Sequence, residues 1–121
     1  MSDLKKYEGI IPAFYACYDD QGEVSPERTR ALVQYFMDKG VQGLYVNGSS
    51  GECIYQSVAD RKLILEEVMA VAKGKLTIIA HVACNNTKDS MELARHQFLV
   101  ERYSYHFFLS QLQTRLVILM G

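Results

Sequence analysis

GLYVNGSSGE, residues 43–52, runs from a short apolar strand straight into a glycine-bracketed pair of serines and a carboxylate. Gly48 and Gly51 permit positive φ and close backbone approach, so successive amides can converge on an anion. Ser49 and Ser50 add two hydroxyl donors, and the two oxygens of a carboxylate accept several such donors at once. In parallel α/β folds the C-terminal end of a strand is where ligands sit. The bland alternative is a tight turn whose serines satisfy backbone groups. No Gly-Lys-Ser/Thr follows, which argues against a P-loop. Glu52 is expected to serve as a structural hydrogen-bonding group and not to touch an anion.

Outward from this stretch, strand and helix signals alternate. Upstream, residues 9–17 (GIIPAFYAC) form an apolar run suited to a strand covered on both faces. Asp19-Asp20-Gln21-Gly22 marks a turn. Ser25-Pro26-Glu27 supplies an N-cap, a proline at the first helical position and an early carboxylate. Leu32, Val33, Phe36 and Met37 recur at helical spacing before Lys39-Gly40 ends the helix. Residues 41–46 then read as a second strand. Ser57-Val58-Ala59-Asp60 resembles a capping box with Asp in place of Glu, and Ile64, Leu65, Val68, Met69 and Ala72 share one helical face. Residues 76–82 (LTIIAHV) read as a third strand, followed by a helix from Lys88 to about His96 with Thr87 as its cap. Three βα units in succession, each with a helix long enough for a crossover, predict a parallel α/β sheet.

The 121 residues allow one domain at most, with hydrophobic content of 49% and charged content of 22%. A net charge of −1 offers no basic field, so neither nucleic acid nor an anionic membrane is expected as a partner. No apolar run approaches a membrane span, and MSDLKKYEG lacks a signal-peptide core, which predicts a cytoplasmic location. Cys17, Cys53 and Cys84 lie far apart without metal-ligand spacing and are expected as reduced, buried small hydrophobes.

Residues 97–121 differ. Lys, Asp, Ala and Pro are all absent there, and Gly occurs only as the last residue. Aromatic and aliphatic residues crowd together without a clean period, apart from a possible helical stripe at Leu112, Leu116 and Leu119. The expected organisation is a parallel α/β domain over 1–96, with βα spacing that suits a βα barrel or a doubly wound sheet, and a hydrophobic tail over 97–121 that is foreign to it.

GLYVNGSSGE, together with AFYACYDDQGEV at 13–24 and KGKLTIIAHVACNNT at 73–87, resembles the N-acetylneuraminate lyase branch of the pyruvate-dependent class I aldolases. This is the lyase and dihydrodipicolinate synthase superfamily, and the likeness covers about residues 7–96. The synthase branch tends to carry a Thr-Thr pair where this chain has Ser49-Ser50. The resemblance implies a truncated (β/α)₈ TIM barrel, in a family commonly tetrameric. It implies that Ser49 and Ser50, flanked by Gly48 and Gly51, hold the carboxylate of a keto acid. It also implies reversible aldol cleavage of N-acetylneuraminate to N-acetylmannosamine and pyruvate through a lysine Schiff base, with tyrosine-assisted proton transfer and neither cofactor nor metal.

A Schiff-base lysine needs desolvation or a cationic neighbour to lower its pKa, so it should lie within an apolar strand. Lys5, Lys6, Lys39, Lys62, Lys73, Lys75 and Lys88 all fall in lead, helix-end or strand-mouth positions. In the family the tyrosine and lysine come from segments after the third βα unit. Tyr103 and Tyr105 lie in the tail, and Tyr45 and His81 are expected to pack. No catalytic residue is therefore assigned, and the chain is expected to be inactive alone. The alternatives are another keto-acid aldolase, or a non-catalytic fragment that binds a carboxylate or associates with itself.

Overall fold

The computed structural model describes residues 4–101 and, as backbone, residues 107–110. After a 3-10 turn at Lys5–Tyr7, the described order is α1 (Pro26–Asp38), β1 (Gly43–Val46), α2 (Val58–Ala72), β2 (Thr77–His81), α3 (Thr87–Glu101) and β3 (Phe107–Ser110). The strands form a parallel sheet in the order β1-β2-β3, with Gly43 opposite Thr77 and Ile78 opposite Phe107. This is the parallel α/β architecture that the alternating signals predicted.

One expected strand is not a strand. Residues 9–17 lie alongside β1 but meet it in a single parallel bridge, Ala13 to Tyr45. Tyr45 N–H donates to the Pro12 carbonyl at 2.9 Å and Phe14 N–H donates to the Tyr45 carbonyl at 2.8 Å. A second bridge, between Ile11 and Gly43, would need a donor from residue 12. Pro12 has no N–H, so the ladder stops there.

The helix starts follow their caps. The Ser25 hydroxyl accepts from Arg28 N–H at 3.2 Å, and the Ser57 hydroxyl accepts from Asp60 N–H at 3.0 Å. At α3 the expectation of Thr87 as cap is corrected. Thr87 is already helical, and Asn86 Oδ1 accepts from Asp89 N–H at 2.8 Å. An Asn side chain at the capping position reaches the amide three residues on, as a serine would. The helix also continues beyond His96 to Glu101, across the change in composition at residue 97.

Strand alternation divides the sheet into two faces. Leu44, Val46, Ile78 and Ala80 point toward the helices and are buried with Phe14, Val33, Ile64, Leu65, Val68, Met69 and Ala72. Each fully buried aliphatic side chain of this kind contributes about 1.5–3 kcal/mol of transfer free energy. Tyr45, Thr77, Ile79 and His81 belong to the other face. Lys62 on α2 meets Glu92 on α3 at 2.8 Å, and Glu66 meets His96 at 2.7 Å, tying the two helices together along their rims.

Candidate functional site

β1 ends at Val46, and the chain turns at once. Asn47 has φ 63° and Glu52 has φ 62°, so the left-handed positions of the turn are non-glycine residues. The expectation of positive φ at Gly48 and Gly51 is corrected: Gly48 lies at φ −81°, extended, and Gly51 falls within a 3-10 turn over Ser49–Gly51. The glycines are needed for space instead. A Cβ on Gly48 would stand 2.3 Å from the Tyr45 ring, and one on Gly51 would stand 2.7 Å from the Phe14 carbonyl oxygen. Close backbone approach, the other half of the glycine argument, therefore holds.

Ser49 and Ser50 are both exposed at this turn. They do not line one cavity. Ser49 borders a cavity of about 460 Å³ shared with Ser57, Arg61, His81, Cys84 and Asn86. Ser50 borders another of about 510 Å³ with Tyr15, Ala16, Tyr18 and Glu52. In the second cavity the Tyr18 hydroxyl donates to Glu52 Oε2 at 2.6 Å, the hydrogen-bonding role expected of Glu52. That bond to a carboxylate, reinforced by burial, raises the Tyr18 pKa above its ordinary value.

Behind the first cavity lies a polar cluster whose chief member, Arg61, sequence reading passed over. Arg61 is 3% exposed and heads the buried stripe of α2 that continues through Ile64, Leu65 and Val68. Its Nη2 donates to the His81 carbonyl at 2.6 Å and its Nη1 to the Ala83 carbonyl at 2.8 Å. Nη1 also meets the Cys84 thiol at 3.1 Å. Asn47 Nδ2 donates to the Arg61 carbonyl at 2.9 Å, closing a ring between α2 and the turn after β1. The signal was present: Arg61 stands at helical spacing with Ile64, Leu65 and Val68 of the apolar stripe.

His81 is buried, as expected of a core histidine, and its ring packs 6.2 Å from that of Tyr45. Its Nδ1 lies 3.0 Å from the Asn47 carbonyl, to which it donates when protonated, and 3.4 Å from Arg61 Nη2, from which it accepts when unprotonated. Nε2 is buried without a partner among the described residues. Burial lowers the His81 pKa below its ordinary 6.5; the Asn47 bond partly opposes this and the Arg61 charge adds to it. The ring is therefore neutral.

Cys17, Cys53 and Cys84 are free thiols, but each is half-buried and not fully buried as expected. None of the seven lysines of the chain is buried. Tyr103, Tyr105 and the Leu112, Leu116, Leu119 stripe lie outside the described residues. Among the described residues, no helix is long and apolar enough to cross a membrane, and no group of three or more His, Cys, Asp or Glu side chains could hold a metal ion.

Residues 6–101 match the dihydrodipicolinate synthetase family. Over 96 residues the chain is 72% identical to the N-acetylneuraminate lyase of Mediterraneibacter gnavus, a match covering 79% of this chain and 30% of that protein. The wild-type sialic acid aldolase of Ruminococcus gnavus superposes with a TM-score of 0.80 at 64% identity, covering 86% of this chain and 34% of the other. A catalytic lysine mutant of the Ruminococcus gnavus aldolase gives 0.79 at 47% identity, covering 99% and 52%. The chain spans about 30% of the length of the curated relatives it matches. Its parallel βα units correspond to about a third of a TIM-barrel aldolase. By the extent of the family match and by its fold, the chain belongs to the dihydrodipicolinate synthetase family.

Proposed function

We propose that this chain carries the carboxylate-anchoring sector of an aldolase that cleaves N-acetylneuraminate reversibly to N-acetylmannosamine and pyruvate. The observation that carries the reading is the exposed Ser49-Ser50 pair at the C-terminal end of β1. Two adjacent hydroxyls on a turn held by Gly48 and Gly51 suit the two oxygens of a keto-acid carboxylate. Ser49 borders the cavity that Arg61 and His81 share, and Ser50 the one beside Tyr18 and Glu52. Likeness to N-acetylneuraminate lyases favours sialic acid over other aldol substrates.

The bond-breaking step belongs to a lysine amine that condenses with the ketone, releasing water, to give a protonated imine. The imine takes up the electron pair of the C–C bond as the neighbouring hydroxyl loses its proton and becomes the aldehyde. A Ruminococcus gnavus relative is described by its catalytic lysine. Here every lysine is exposed or half-buried, and none lies within a strand. The chain by itself binds the acid group and does not turn the sugar over.

Pyruvate titrated into the purified chain tests both halves. The expected result is a rise in melting temperature that vanishes in a Ser49→Ala, Ser50→Ala double variant. Borohydride added with pyruvate is expected to leave all lysines unmodified. A pyruvate response that survives the double substitution would remove the serines from the reading, and a stoichiometric lysine adduct would overturn the claim of inactivity.

A further inference from the structure

We infer that Arg61 is a positioning residue for the serine turn, fastening the end of β2 to Asn47 and so setting where Ser49 and Ser50 stand. The inference rests on the carboxylate-anchoring reading of those serines. A buried guanidinium ordinarily faces a carboxylate. Arg61 instead directs its fork at backbone oxygens: His81 at 2.6 Å, Ala83 at 2.8 Å and, at longer range, Asn47 at 3.5 Å. One cation thus gathers carbonyls from the ends of two neighbouring strands, which would otherwise diverge with the sheet twist.

Asn47 is the hinge of the arrangement. It holds a left-handed φ of 63°, which Asn adopts more readily than other non-glycine residues. Its side-chain Nδ2 donates to the main-chain carbonyl of Arg61 at 2.9 Å, a bond independent of the guanidinium. The guanidinium acts on Asn47 through the longer contact to its carbonyl at 3.5 Å and through His81, whose carbonyl it holds and whose Nδ1 lies 3.0 Å from the Asn47 carbonyl. Gly48 follows directly, lodged against the Tyr45 ring, and Ser49 comes next. Ser49 is therefore two residues from an anchor that the Arg61 side chain helps to hold, with Gly48 between them packed against the Tyr45 ring. Nothing in this arrangement brings Arg61 to the carboxylate itself; it acts through Asn47.

The test uses the full chain, isotopically labelled, with Arg61→Met and Arg61→Lys variants read by NMR with and without pyruvate. Without ligand, Arg61→Met is expected to shift the amide resonances of Gly48, Ser49 and Ser50. It is also expected to raise the pH at which His81 titrates, because the like charge beside the ring is gone. The other groups facing that ring are the Asn47 carbonyl and Tyr45, with Cys84 beyond the guanidinium, and none of them is substituted. Arg61→Lys restores the His81 titration toward that of the parent but not the loop resonances, since an ammonium lacks the fork. With ligand, both variants are expected to bind pyruvate about tenfold more weakly, the effect of one misplaced hydrogen-bonding group.

Unchanged loop resonances in folded Arg61→Met would overturn the inference. So would loss of the fold in both variants, which would assign Arg61 to general stability. A parent chain that ignores pyruvate would remove the carboxylate reading and leave the ligand-free shifts to decide the role of Arg61.

Discussion

The Arg61 guanidinium donates to the His81 backbone carbonyl at 2.6 Å, joining the first turns of α2 to the last residue of β2. In a parallel sheet that junction is the rim on which ligands are held. Burial is the main cause that keeps the His81 ring neutral, and the Arg61 charge beside it acts in the same direction.

That neutrality gives stability a pH dependence of known sign. The His81 pKa is depressed in the folded chain, below the 6.5 it regains on unfolding. Between those values the unfolded chain binds a proton that the folded chain does not, so stability rises with pH through the window and falls as pH drops through it. Urea denaturation at a series of pH values is expected to show this rise. His81→Gln should flatten the part of the slope just below pH 6.5 relative to the parent.

Gly48→Ala is expected to destabilise the chain by about 1–3 kcal/mol, the usual cost of forcing extra atoms into filled space. The added methyl would stand 2.3 Å from the Tyr45 ring. Tyr45→Ala removes that ring, so Gly48→Ala should cost much less in its presence. A double-mutant cycle measured by denaturation reads the coupling directly, and strict additivity would contradict the packing.

Val68→Ala and Ile64→Ala probe the helix–sheet core. Val68 is 0% exposed and Ile64 1% exposed, both beneath the sheet face formed by Leu44, Val46, Ile78 and Ala80. For Ile64→Ala the transfer and cavity contributions together are expected to reach about 2–5 kcal/mol, with Val68→Ala smaller because fewer atoms are removed. A shift in denaturation midpoint at constant slope is the readout.

Ser57→Ala removes the side-chain acceptor for Asp60 N–H at the start of α2. The expected loss is about 1 kcal/mol. Ser57→Asp should recover most of it, since an aspartate also caps and its charge suits the helix N-terminus. Thermal melts of the three proteins check the order.

The sequence by itself determined the local elements. Apolar residues at helical and strand periods, with Ser25, Ser57 and the glycines after the helices, specify α1, α2, β1 and β2 to within a few residues, because period and capping are properties of adjacent positions. They also place GSSGE at a strand end, the geometric half of the site. Only the tertiary structure decided the rest. Pro12 breaks the first expected strand because residue 12 is where Gly43 would need a donor, a fact that exists only in the pairing with β1. Gly48 is required by the ring of Tyr45, not by its own φ. Arg61, Asn47 and His81 are separated by 14 and 20 residues and meet only when two strands and a helix converge. Long-range contacts of this kind depend on how elements pack against one another, and no periodicity along the chain records that.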